Sequence, residues 1–187
     1  MANSKLDFSS LDATLDRVPH ALTVSDVSEP DHPLVYMNAA FRALTGYSDS
    51  HLGENCRFLQ GDLENDEARA EIRLALEEKR RTQVILNNRR KDGTQFFNLL
   101  LLEPIKNPEG SRQLVLGGQF ELTPDEKQEI TDNGTTVFPP SMSGAVARAL
   151  ELRIERRRIA ATSAVQLLQS WQTLQIISDR RAGNPKT

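Results

Sequence analysis

The sequence has one cysteine, one tryptophan and two tyrosines in 187 residues, and aromatic side chains make up 5% of it. A single cysteine excludes an internal disulfide framework and a metal site built from several thiolates. No stretch approaches the roughly 18 consecutive apolar residues that a membrane-spanning helix needs. Residues 1–10 lack the basic-then-apolar order of a secretory signal, so a cytoplasmic address and no membrane partner are expected. Histidine is scarce as well: His20, His32 and His51 all precede residue 52. No phosphoacceptor histidine and no phosphate-cradling glycine motif follow, which argues against a kinase module and against an enzyme generally. The net charge of −3 is too small and of the wrong sign for a nucleic-acid binder.

What is present is unevenly distributed. Residues 144–187 hold eight basic and three acidic side chains, so the rest of the chain is strongly acidic. Such asymmetry implies modules with different tasks. Leu11, Leu15 and Val18 share one helical face, which Pro19 ends. Residues 21–27 alternate as a half-buried strand, and residues 34–37 read as a second. Asn38 caps a short helix that stops at Gly46. Asn65 or Asp66 caps a longer helix with Ala68, Ile72, Ala75 and Leu76 on its apolar stripe. Strands are then expected at 82–88, 95–103 and 112–122, joined by turns at Asp92-Gly93 and Asn107-Pro108-Glu109-Gly110. The order predicts an α+β layout with a five-stranded antiparallel sheet and helices on one face. Four segments follow: an N-terminal helical cap (1–20), a core (21–122), a short helix with linker (123–143) and a helical extension (144–187). In the extension Ala164, Leu167, Leu168, Trp171, Leu174 and Ile177 keep helical spacing.

One stretch carries chemistry: Gly53-Glu54-Asn55-Cys56-Arg57-Phe58-Leu59-Gln60-Gly61. It resembles the signature of LOV (light-oxygen-voltage) domains, the flavin-binding blue-light receptors of the PAS superfamily. The resemblance extends to Phe41-Arg42-Ala43-Leu44-Thr45-Gly46-Tyr47, to Arg73 thirteen positions after Gln60, to Leu86-Asn87, to Arg90-Lys91-Asp92-Gly93-Thr94, to Phe96-Phe97-Asn98-Leu99-Leu100 and to Gly118-Gln119. It implies a PAS/LOV fold and a flavin chromophore. It makes Cys56 the thiol that adds reversibly to the light-excited ring, and Gln119 the amide that rearranges when the ring nitrogen beside it gains a proton. The spacing to Arg73 favours flavin mononucleotide (FMN), with Arg57 and Arg73 on its phosphate. Asn55, Gln60, Asn87, Asn98 and Gln119 match the family's amides around the ring and ribityl chain. Thr23, Val24, Leu44, Phe58, Leu99, Leu101 and Phe120 are candidates for the apolar lining, for which plain core packing is an equal reading.

The sequence departs from the family between Tyr47 and Gly53, which is one residue shorter, at Glu54, and at Asn88, where an aromatic residue is expected. His51 reads as a surface-loop histidine. The expected output is a homodimer or partner contact through the flanking helices, altered by light. Two other readings remain open: a light-gated transcription regulator using Arg156-Arg157-Arg158 on phosphates, and a flavin redox sensor with no light role. A charge run of this kind is more often a solvated helix face.

Overall fold

The computed structural model describes residues 15–105 and 113–133, together with positions 159, 163, 164, 166, 167, 169 and 170. Leu11, Trp171, the arginine block at 156–158 and the linker at 134–143 lie outside the described residues.

Five strands form one antiparallel sheet: β1 (Ala21–Asp26), β2 (Leu34–Met37), β3 (Thr82–Arg89), β4 (Gln95–Ile105) and β5 (Leu114–Leu122), in the order β2-β1-β5-β4-β3. β2 is at one edge and β3 at the other, so the chain must cross the sheet between them. That crossing holds α1 (Ala39–Thr45), two 3-10 turns (Asp49–His51 and Cys56–Leu59) and α2 (Asp66–Glu77). A last helix, α3 (Pro124–Asn133), leaves the end of β5.

Local chemistry explains the bounds of these elements. Asn38 caps α1 by accepting a hydrogen bond from the Phe41 N–H, and Gly46 ends it at φ 74°, a conformation glycine adopts without strain. Asn65 stands at the start of α2 but makes no side-chain cap. Its amide instead brackets the backbone of β3: Oδ1 accepts from the Asn87 N–H at 2.7 Å and Nδ2 donates to the Asn87 carbonyl at 3.0 Å. The helix start is thereby tied to the edge strand. At its other end Arg80 and Thr82 both bond the Glu71 carboxylate, and this holds that group down to a pKa of about 2.

Side chains alternate across the sheet, and register assigns them to faces. The pairs Ala21↔Gln119, Thr23↔Gly117, Gln119↔Leu100, Asn98↔Leu86 and Asn88↔Phe96 share one face. The crossing segment packs there: Ala21, Met37, Phe41 and Leu59 form a core with Leu44, Tyr47, Cys56 and Phe58 against it. The opposite face has two cores. Leu22, Val24 and Leu116 pack with Leu15 of the N-terminal cap and Ala164 of the extension. Leu99, Phe120 and Leu122 pack with Leu101 and with Ile130 of α3. The extension thus folds back onto the sheet at Ala164, while Ile159 and Leu167 stay exposed.

Candidate flavin site

The Cys56–Leu59 turn starts at Asn55, whose Oδ1 caps it by accepting from the Arg57 N–H at 2.9 Å. The Asn55 Nδ2 donates to the Asp31 carbonyl at 2.6 Å and ties the turn to the β1–β2 loop. This anchoring aims Cys56 across at β5. The cysteine is half-buried as a residue, and its sulfur accepts a long contact of 3.9 Å from Gln119 Nε2. Burial pushes the thiol pKa up from 9.0 to about 12, against the smaller lowering effect of that amide. The group is therefore a neutral thiol at any physiological pH.

Around Gln119 is a chain of buried polar groups. Its Nε2 also donates to Thr23 Oγ1 at 3.5 Å, and its Oε1 accepts from Asn98 Nδ2 at 3.4 Å. Asn98 Oδ1 accepts from the Phe120 N–H at 3.2 Å. Asn98 is 1% and Gln119 2% exposed, so water does little for them. These side-chain contacts are longer than the usual 2.7–3.2 Å. Buried amides are normally well satisfied, and this set keeps capacity in hand.

Several sequence expectations meet here and several do not. Thr23, Leu44, Phe58, Asn98 and Gln119 sit on the Cys56 side of the sheet. Val24, Leu99, Leu101 and Phe120 do not: they pack in the two cores of the opposite face, because each is an odd number of residues from Thr23, Asn98 or Gln119 on its own strand. Asn87 is also on the far side, where its Nδ2 donates to the Glu64 carbonyl at 2.8 Å. Its neighbour Asn88 takes the inward place, 1% exposed and with Oδ1 buried and without a hydrogen-bond partner. Strand parity was the missed signal: Asn88 pairs with Phe96, two residues from Asn98. Leu86 and Leu100 reach the same face and were also missed.

Gln60 is buried and its Oε1 accepts from Arg69 Nε at 2.7 Å, a residue the sequence reading passed over. Arg57 and Arg73 are exposed, and Arg57 is paired with Asp31. His51 is no free loop histidine: its ring packs on both Tyr47 and Phe58, at 4.9 and 4.8 Å, in a cluster where those two rings also touch, and Nδ1 meets Glu54 at 3.1 Å.

Comparison with known proteins agrees with this layout. Residues 19–124 match the PAS domain family. The chain is 39% identical over 110 residues to the bacterioopsin transcriptional activator of Halobacterium salinarum, covering 58% of this chain and 16% of that protein. It is 46% identical over 83 residues to a blue-light photoreceptor of Listeria monocytogenes, covering 44% and 33%. The crystal structure of the Rhodobacter sphaeroides LOV protein superposes with a TM-score of 0.59 at 36% identity, covering 88% of this chain and 96% of that one.

This chain belongs to the LOV family of the PAS superfamily.

The chain spans from a sixth to about a third of the length of the first curated relatives it matches. The residues of this LOV domain fit a flavin on three counts. Asn88 Oδ1 is a buried acceptor awaiting a donor. The amides of Asn88, Asn98 and Gln119 can each both donate and accept, as the alternating edge of a flavin requires. Gly117 presents bare backbone on the Cys56 side of β5, and Thr23 Oγ1 stands 2.7 Å from where a Cβ would be. A side chain there would push Thr23 aside and break its contact with Gln119.

Proposed function

We propose that this protein is a blue-light photoreceptor that binds FMN and signals through its flanking helices rather than by catalysis. The observation that carries the reading is the Gln119 amide. It contacts the Cys56 sulfur, Thr23 and Asn98 at once, from the strand that runs directly into α3. A bound flavin would supply blue-light absorption, a ring carbon open to reversible addition of the Cys56 thiol, and a ring nitrogen that would take up the thiol proton.

The chain's own residues do the rest. The Asn55 cap and its Asp31 tether hold Cys56 in place, and burial keeps its proton on in the dark. Asn88, Asn98 and Gln119 hold the polar edge, while Leu86, Leu100 and Gly117 floor the ring. Arg57 and Arg73 bind the phosphate, an interaction that draws Arg57 away from Asp31. A protonation change beside Gln119 reverses what its amide must offer, so the side chain turns over. Its old contacts with Thr23 and Asn98 are then exchanged, and the strain enters β1 and β5, which carry the N-terminal cap, α3 and the contact with Ala164. The output is a change in association of two copies through those helices.

An absorption spectrum before and after blue light tests the reading. A structured blue band that bleaches and returns in darkness is expected in the wild type. Cys56→Ala should keep the band and lose the bleaching. A yellow protein inert to light in both forms would sink the proposal in favour of dark redox sensing.

A further inference from the structure

Gln60 lies at the end of the cysteine turn, 8% exposed. An amide is ambiguous by nature, since its two ends offer opposite chemistry. Here the ambiguity is removed. Arg69 Nε donates to Gln60 Oε1 at 2.7 Å, and a guanidinium has no acceptor to offer in return. The oxygen is therefore held toward Arg69, and Nε2, which makes no hydrogen bond with the described residues, is left for whatever binds.

Arg69 is itself well held. It lies in the first turn of α2, where its N–H donates to the Asn65 carbonyl at 2.8 Å. Its Nη2 reaches the Leu63 carbonyl at 3.5 Å, and Asp66 is 3.9 Å from Nη1. The 2.7 Å bond to Gln60 is thus the shortest side-chain contact of half-buried Arg69, and it sets the orientation of Gln60 before any ligand arrives.

We propose that Arg69 is a positioning residue that presents Gln60 as a hydrogen-bond donor to a carbonyl oxygen of the flavin. The proposal rests on the flavin-binding reading and deepens it. It assigns Arg69 to the ring end of the ligand, through Gln60, and not to the phosphate. Preorganising one donor lowers the ordering cost at binding.

The test uses the full-length chain, freed of flavin and reconstituted with FMN or with riboflavin, which lacks the phosphate. Affinity is read by flavin fluorescence quenching for the wild type, Arg69→Ala, Arg69→Lys, Gln60→Ala and the Arg69→Ala/Gln60→Ala double variant. Far-UV circular dichroism checks that each apoprotein is folded. Arg69→Ala should weaken both flavins by about tenfold, the factor that about 1.4 kcal/mol gives. Arg69→Lys keeps an obligate donor and should restore most of the affinity. The double variant should bind no more weakly than Gln60→Ala. In infrared spectra a flavin carbonyl stretch should rise alike in Arg69→Ala and Gln60→Ala and return in Arg69→Lys. A loss confined to FMN would make Arg69 a phosphate ligand and overturn the proposal. Additive losses in the double variant, or no loss in Arg69→Ala, overturn it as well. A wild type that takes up neither flavin defeats the underlying flavin reading itself.

Discussion

At the scale of single residues, the site turns on polar groups buried without full satisfaction. Asn88 and Asn87 are adjacent, yet they have opposite tasks. Asn88→Ala should weaken flavin binding by about tenfold, the loss of one buried hydrogen bond, with little effect on the apoprotein. Asn87→Ala should leave flavin affinity unchanged and lower the melting temperature, because its side chain ties β3 to the Glu64 carbonyl. Equal effects on affinity would refute the assignment of faces. Cys56 makes a pH prediction. Its folded pKa, about 12, is raised above the 9.0 of a free thiol, so the unfolded chain gives up the proton first. The thiol's contribution to stability is fully present below pH 9 and is lost as pH climbs toward 12. Denaturant titrations of the apoprotein should show a steeper fall across that window than those of Cys56→Ala. Parallel curves would mean that burial does not raise the thiol pKa.

At the scale of elements, two clamps hold the crossing segment. The first is Asn38, whose Oδ1 accepts from the Leu22 and Phe41 N–H groups while Nδ2 donates to the Leu15 and His20 carbonyls. One amide thereby joins the N-terminal cap, β1 and α1. An N-cap alone is worth roughly 0.5–2 kcal/mol. Asn38→Ala also strands buried backbone groups, so a loss above about 2 kcal/mol is expected in urea unfolding. The second clamp is Glu71 with Arg80 and Thr82, which joins the middle of α2 to the start of β3. The Glu71 pKa is lowered from 4.5 to about 2, so its contribution holds above pH 4.5 and fades as pH falls toward 2. Glu71→Gln should flatten the acid limb of the stability curve in that window. An unchanged limb would show that solvent screens the pair to nothing.

At the scale of the whole molecule, the sheet has the cysteine site on one side and the flanking segments on the other. The flavin side holds Cys56 and the amides, and the other side holds the N-terminal cap, α3 and Ala164 of the extension. Gln119 and Phe120 are neighbours on β5 facing opposite ways, so a shift of that strand is felt on both sides. Ala164 is 1% exposed against Leu22, Val24 and Leu116. Ala164→Arg should undock the extension, seen as faster hydrogen exchange at β1 and β5 and a larger radius of gyration by small-angle scattering. Flavin binding should persist, because no pocket residue is touched. Unchanged exchange in that variant would show that the extension does not cover the sheet.

Much of this was legible in the sequence. Alternation and turn chemistry gave the strands, with residues 34–37 found as β2 and the expected 82–88 and 95–103 extending to Arg89 and Ile105. Asn38 and Gly46 bounded α1 as capping residues do, because caps act within a single turn of chain. The run around Cys56 announced the family for the same reason: it is contiguous. The face that each strand residue takes was decided by tertiary structure. Val24, Leu99, Leu101 and Phe120 are apolar residues in strands buried on both sides, where an apolar side chain suits either face. The choice between Asn87 and Asn88 needed the register of β3 on β4, and the partnership of Arg69 with Gln60 needed α2 to fold back over the cysteine turn. Local pattern determined the elements and the turn that carries Cys56, because short-range sterics and hydrogen bonds govern both. Long-range pairing decided which side chains line the pocket, because a one-residue step along a strand reverses the side it faces.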